Sequence, residues 1–308
     1  MKALVKTAAA PGHVEYRDWP SPEIGPEDVL IAVRVAGVCG TDLSMYEWNR
    51  VVTEGYRPTL PLVIGHEFAG EIVEVGREVR SLRVGRRVVA NPALTCGRCR
   101  FCRAERTMLC PSRRLMGIQA QGVFAEYAVA PAANVHPVPE ETPWELAAVA
   151  EPFAVALRAL ERVPIHAGDV VAVVGPGSIG FGREDPSEVI RELTDGFGAD
   201  VSFETAGHPA ALAEAIKLTR RGGRVGMLGL PHDHVQINTA AVVLAEQELI
   251  GIRAYDVSTW RRVPSLLQRA SADLSRVVTH RVPLSDFERA VEVSRSRQGL
   301  TVLLTTDC

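Results

Sequence analysis

Lysine is scarce in this chain. Lys2, Lys6 and Lys217 are the only lysines among 34 basic residues, which leaves 31 arginines. An arginine-rich surface fits a thermophilic source or GC-rich codons equally well. Charge of either sign is not in excess, since the net charge is −3 and 23 % of residues are charged. That balance excludes a general attraction to nucleic acid or to membranes. Long apolar runs are missing too. The best candidate, residues 146–160, is broken by Glu151, Pro152 and Arg158, so it reads as a buried helix rather than a membrane span. The opening MKALVKTAAAPGHVEY lacks the sustained apolar stretch of a secretory leader and goes straight into strand-like sequence. The expectation is a cytoplasmic protein, where clustered cysteines hold metal more often than they pair as disulfides. Internal repeats and low-complexity tracts are absent as well.

What is present points to two domains, because 308 residues exceed one ordinary core. Up to about residue 135 the chain reads as short strands between Gly/Pro turns, at 29–35, 68–76, 86–90 and 124–129. That spacing predicts a compact, partly barrel-like β domain. A helical stretch covers about 144–161. The pattern then switches to strand, glycine turn, helix, strand, helix and strand, at 170–174, 175–180, 187–195, 201–204, 209–220 and 224–230. Alternating strands and helices imply a parallel sheet. Asp185 as N-cap, Pro186 at the first helical position and Glu188 at the third mark one helix start.

Two clusters carry chemistry. Cys96, Cys99, Cys102 and Cys110 form a C-x₂-C-x₂-C-x₇-C run, which suits a closed tetrahedral zinc site. An iron–sulfur cluster is the alternative, since Pro111 follows the last cysteine, but ferredoxin runs leave three residues before that cysteine rather than seven. A site with four protein ligands has no open position and is structural. The second cluster is Cys39, His66 and Glu67, offering one sulfur, one nitrogen and one oxygen to an ion of borderline softness. Thr41 lies two residues beyond the cysteine, close enough to hand on a proton. Taken singly, each has an ordinary reading: a buried small cysteine and a His-Glu pair at a strand end.

Together the motifs are specific. Gly37-Val38-Cys39-Gly40-Thr41-Asp42, then Gly65-His66-Glu67-Phe68-Ala69-Gly70, then the four-cysteine lobe about thirty residues on resemble the zinc-dependent medium-chain alcohol and polyol dehydrogenases. Tyr46-Glu47-Trp48-Asn49, Ala150-Glu151-Pro152, Gly222-Gly223-Arg224-Val225 and Thr279-His280-Arg281 add to the likeness, which is nearest to threonine and sorbitol dehydrogenases. The resemblance implies an α/β architecture: a GroES-like β domain at 1–154 with catalytic and structural zinc sites, a Rossmann cofactor domain at 155–276, and a return to the catalytic domain at 277–308. It implies that Cys39, His66 and either Glu67 or Glu151 ligate the catalytic zinc and that Asp42 orients His66. Independently, Glu151 is a carboxylate in an apolar helix, where burial without a partner is costly.

The implied reaction is hydride transfer from a secondary alcohol to NAD or NADP. The substrate would be a polyol or a hydroxy-amino acid such as threonine. Zinc acidifies the hydroxyl and Thr41 relays its proton. Ser44 stands where the family's relay usually continues to a histidine, and serine does not titrate near neutrality. The implied assembly is a homodimer or homotetramer. The alternative function is a non-catalytic zinc protein that has lost dinucleotide binding.

That alternative arises in the cofactor half. Val170–Val174 leads into Gly175, Gly177, Ile179 and Gly180, a strand followed by G-x-G-x-x-G that suits a pyrophosphate. Leu228, Gly229, Leu230, Ile252 and Arg253 resemble later cofactor-contacting turns. But Phe181 to Pro186 is too short for the first crossover. Asp200, at the spacing of a ribose-binding acid, belongs to a later strand. Relative to the family, a helix, the ribose-binding strand, a further helix and a third strand are missing, roughly 40 residues. The flanks are normal sequence, which favours a polypeptide that carries them over one that has lost them; the mass, 33.3 kDa as written, decides.

Overall fold

The computed structural model describes residues 1–175, 185–231, 233–270, 274–296 and 298–306. It divides into two compact units, Met1–Ala154 with Tyr255–Cys308, and Val155–Ala254. Residues 255–276, read from the sequence as part of the cofactor domain, thus fall with the first unit.

In the first unit a seven-stranded sheet is built around Asp28–Gly37. Its run of Val, Ile and Ala is buried on both faces, as β-branched residues in a central strand favour. It pairs antiparallel with Glu67–Val75 on one side. Both Tyr127–Pro131 and the strand Thr301–Thr305 also pair with it, so a late segment of the sequence lies directly beside the central strand. The strand expected at 124–129 begins only at Tyr127. Before it, Phe124 is tied to Leu4 and Ile64 by backbone hydrogen bonds of 2.8 and 2.9 Å.

The helix expected at 144–161 is two helices, Trp144–Ala148 and Ala150–Arg162. Pro152 has no N–H to give to the carbonyl of residue 148, so one continuous helix cannot close there, whereas proline is tolerated in the first turn of a new one.

The second unit holds a parallel four-stranded sheet in the order Val171–Val174, Ala199–Glu204, Thr219–Met227, Glu248–Gly251. Val201, Phe203 and Ile252 pack with Ala159 and Val163 in one cluster. Ala172, Ile190, Ala199 and Leu218 form another. Two apolar clusters with helices supplying both are what a doubly covered parallel sheet requires. Asp185 caps the helix Pro186–Leu193 by accepting from Ser187 N at 2.9 Å. Among the described residues no helix is long and apolar enough to cross a membrane.

Candidate active site

Cys39 ends the turn after the central strand and caps the helix Gly40–Glu47. Its backbone N–H donates to Asp42 Oδ2 at 2.9 Å. The other oxygen of the same carboxylate, Oδ1, faces His66 Nδ1 at 3.6 Å. One fully buried aspartate therefore ties together the two segments that bring the cysteine and the histidine. Gly65, at φ +89°, turns the chain into the site, and a Cβ there would strike Phe124 at 2.1 Å. Glu67 opens the next strand opposite Gly37. A side chain at 37 would lie 2.4 Å from Glu67 Oε2, so the glycine leaves room for the carboxylate.

One ligand atom each from Cys39, His66 and Glu67 lies within 4.8 Å of the others. His66 and Glu67 are buried and Cys39 is half-buried. Glu151, also buried, stands against Glu67 but is not in this group. The electrostatics are those of ionisable groups crowded together in a buried site. Burial, then Glu67, pushes the Cys39 thiol up to about 11. Burial, then Glu151, pushes Glu67 up to about 8, and burial raises Glu151 as well. Burial opposes a charge on His66, yet Asp42 and Cys39 outweigh it and hold its pKa well above the ordinary value. His66 Nδ1 and Asp42 Oδ1 are left without a formed hydrogen bond. Soft, borderline and hard donors around one point, with a carboxylate behind the imidazole, fit zinc.

Thr41 and Ser44 lie on the same helix as Asp42. Their spacing of three puts them on one face; Thr41 is partly exposed and Ser44 buried. A residue with no sequence signal joins the site. Tyr255 is buried with its Oη unbonded. It lies against Glu151, whose charge, after burial, raises the phenol further. Nothing periodic or motif-like marks a lone tyrosine, and only the fold brings it to Glu151.

The four cysteines of the second cluster are also brought together. Cys99–Cys102, Cys96–Cys110 and Cys96–Cys102 sulfurs are 3.5, 3.6 and 4.0 Å apart, against an edge of about 3.8 Å for a tetrahedron of sulfurs about 2.3 Å from zinc. Cys99 caps the short helix Arg100–Arg103 by accepting from Cys102 N. Backbone N–H groups of Arg98 and Cys99 lower Cys96 to about 6, while burial and its thiol neighbours raise Cys102 to about 11. The lobe fits a second zinc.

In the second unit Gly175 has φ +99°, and a Cβ there would lie 2.7 Å from Ala206 N. Gly177, Ile179 and Gly180 lie outside the described residues. Leu228 and Gly229 donate to the carbonyl of Glu204 at 2.9 and 3.1 Å, and Leu230 and Arg253 are exposed. Ile252 departs from the expectation: its side chain is core, packed with Val201 and Phe203. Asp200 sits at the start of its strand, bound to Arg220 at 2.7 Å and to Val170 N at 2.8 Å. The strands are parallel, so this is the end away from the glycine turn.

Comparison with known proteins agrees with both halves. The alcohol dehydrogenase GroES-like domain matches residues 25–140, and the zinc-binding dehydrogenase domain matches residues 171–270. An L-threonine 3-dehydrogenase of Symbiobacterium thermophilum is 34 % identical over 350 positions, covering 100 % of this chain and 98 % of its own. A zinc-binding dehydrogenase of Sinorhizobium meliloti, solved bound to NADP, superposes with a TM-score of 0.86 at 28 % identity, over 99 % of this chain and 98 % of its own. A 2R,3R-butanediol dehydrogenase of Bacillus subtilis does so at 0.85 and 26 %, over 99 % of each chain. The chain belongs to the zinc-dependent medium-chain alcohol dehydrogenase family. Its class is that of NAD(P)-dependent, zinc-dependent alcohol-type dehydrogenases.

Proposed function

We propose that this protein oxidises a secondary alcohol at the Cys39–His66–Glu67 centre, with a hydroxy-amino acid such as threonine as the first substrate to try and polyols as the next. The observation that carries the reading is the convergence of sulfur, nitrogen and oxygen donors with Asp42 behind the imidazole. When bound, zinc supplies a Lewis acid that makes the substrate hydroxyl more acidic, and the nicotinamide accepts the hydride. Cys39 as thiolate and Glu67 as carboxylate offset the dication's charge, and His66 donates as a neutral ring. Asp42, facing Nδ1, fixes which ring nitrogen of His66 is free to bind by acting as the acceptor for the Nδ1–H. Glu151 stands beside Glu67 as a second carboxylate able to exchange with it, and Tyr255 can donate to it. Thr41 takes the proton released by substrate and passes it along the helix face to Ser44. Cys96, Cys99, Cys102 and Cys110 hold a structural zinc. The same reading carries a cytoplasmic location, supported by the free thiols, and a homodimer or homotetramer, supported by the family.

The test is a panel of L-threonine, sorbitol, 2,3-butanediol and simple secondary alcohols, with NAD⁺ and NADP⁺ in turn. Reduction of nucleotide is expected with at least one hydroxy-amino acid or polyol. Asp42→Asn is expected to lose about 10- to 100-fold in metal affinity or activity. No turnover of any secondary alcohol by zinc-loaded protein contradicts the proposal.

A further inference from the structure

Five arginines and one acid fall between residues 77 and 87, a local charge of +4 (five minus one) in a chain whose net charge is −3. Two of the five are engaged. Arg77 lies 3.8 Å from Glu78. Arg87 donates to the carbonyl of Thr142 at 3.1 Å and lies over the Trp144 ring at 4.2 Å. The other three, Arg80, Arg83 and Arg86, line one surface cavity of about 320 Å³ together with Ser81, Leu82 and Pro137. Among the described residues none of these three guanidinium groups meets a carboxylate, and Arg80 gives one N–H to the carbonyl of Arg77 at 2.7 Å.

The backbone that carries them is held to the sheet at both ends. Glu78 N donates to Pro26 O at 2.8 Å, Gly85 N to Ile72 O at 2.8 Å, and Ile72 N to Arg86 O at 3.0 Å. Pro137 ends a strand paired beside Val88, and Val138 N donates to Arg87 O at 3.0 Å, so the facing wall belongs to the same hydrogen-bonded frame. Three like charges gathered on such a frame, with no carboxylate bonded to them, favour an anion in the space between. Each guanidinium presents its N–H groups as a planar fork that matches the oxygens of a phosphate. Ser81 adds a hydroxyl, while Leu82 and Pro137 add an apolar wall. The volume stands near the lower end of the roughly 300–1,000 Å³ of small-molecule sites, which suits a compact ligand rather than a polymer.

We propose that this cavity binds a phosphate dianion, free or carried on a small organic molecule. None of the residues of the two metal-type clusters lines it, so the site stands apart from both and does not depend on the dehydrogenase reading. Calorimetric titration of the zinc-loaded full chain with inorganic phosphate and with glycerol 3-phosphate, at constant ionic strength, tests it. Binding of either is expected; tighter glycerol 3-phosphate assigns the organic source, and tighter inorganic phosphate the free ion. Arg83→Ala and Arg86→Ala should each weaken binding about tenfold or more, as loss of a charge-assisted hydrogen bond does. Arg77→Ala removes the same charge from the same segment outside the cavity and should change the affinity by less than about threefold. Arg83 is exposed, so Arg83→Ala decides the matter even if Arg86→Ala fails to fold. An equal loss in Arg77→Ala would show diffuse attraction and overturn the proposal. Binding that survives in the double variant Arg83→Ala/Arg86→Ala would place the anion elsewhere and overturn it too, as would the absence of heat from both phosphates.

Discussion

Asp42 shows how much one side chain settles in this site. Its two oxygens serve the Cys39 backbone and the His66 ring, so both donors are placed before any metal arrives. Without metal the arrangement is costly in a pH-dependent way. Glu67 is pushed up to about 8 and His66 is held above its ordinary value. Both bind more protons folded than unfolded at neutral pH, so stability is present at low pH and is lost as pH rises through their folded values. For Glu67 that window runs from 4.5 to about 8. The melting temperature of metal-free protein should therefore fall from about pH 5 to about pH 8, and fall less in Glu67→Gln. Added zinc, which needs the deprotonated donors, should raise it most at the upper end. Identical pH profiles for wild type and Glu67→Gln would rule out this origin. The donors themselves were legible in the sequence, because Gly-His-Glu and Val-Cys-Gly-Thr-Asp carry their chemistry in short spans. The choice between Glu67 and Glu151 was not: it depends on which carboxylate the fold brings nearest Cys39 and His66, and Glu151 comes from a helix far along the chain.

At the scale of elements, the proposed function divides the labour between the two zinc-type sites. The four-cysteine lobe has little else to hold it: a two-residue strand pair, Ala93–Leu94 with Arg114–Leu115, and a four-residue helix. A metal held there would therefore contribute folding energy outright. Cys99→Ser should lower the melting temperature by about 5 °C or more while surviving folded protein keeps its turnover per molecule; a variant that melts like wild type would show that the lobe does not need its metal. Element starts with a chemical cap were readable from the chain, as Asp185 with Pro186 and Glu188 illustrates. Breaks and returns were less so. Pro152 sits within an apolar helical pattern and gives no sign of which side the interruption falls, and the sequence put the return to the first unit at 277. Tyr255 and Trp260, both buried there and packed edge to face, move that return to 255. Their role depends on non-local packing, which periodicity does not report.

The whole molecule combines a complete metal-binding unit with a parallel-sheet unit shorter than its relatives'. The first unit is closed by its own C-terminal strand, Leu303 opposite Gly37 and Leu304 opposite Ala36, which steadies the strand leading into Cys39. The second keeps a glycine turn at Gly175 after its first strand. The order of domains was legible because strand and helix periods differ. The account's central claim is that one zinc, held by Cys39, His66 and Glu67, does chemistry, while another only holds structure. Zinc counting by elemental analysis on wild type and Cys39→Ser, with melting and turnover on the same samples, tests it most directly. The account predicts about two zinc ions per wild-type chain, about one in Cys39→Ser, an unchanged fold and no turnover. A Cys39→Ser protein that keeps both ions, or keeps its turnover, would contradict it.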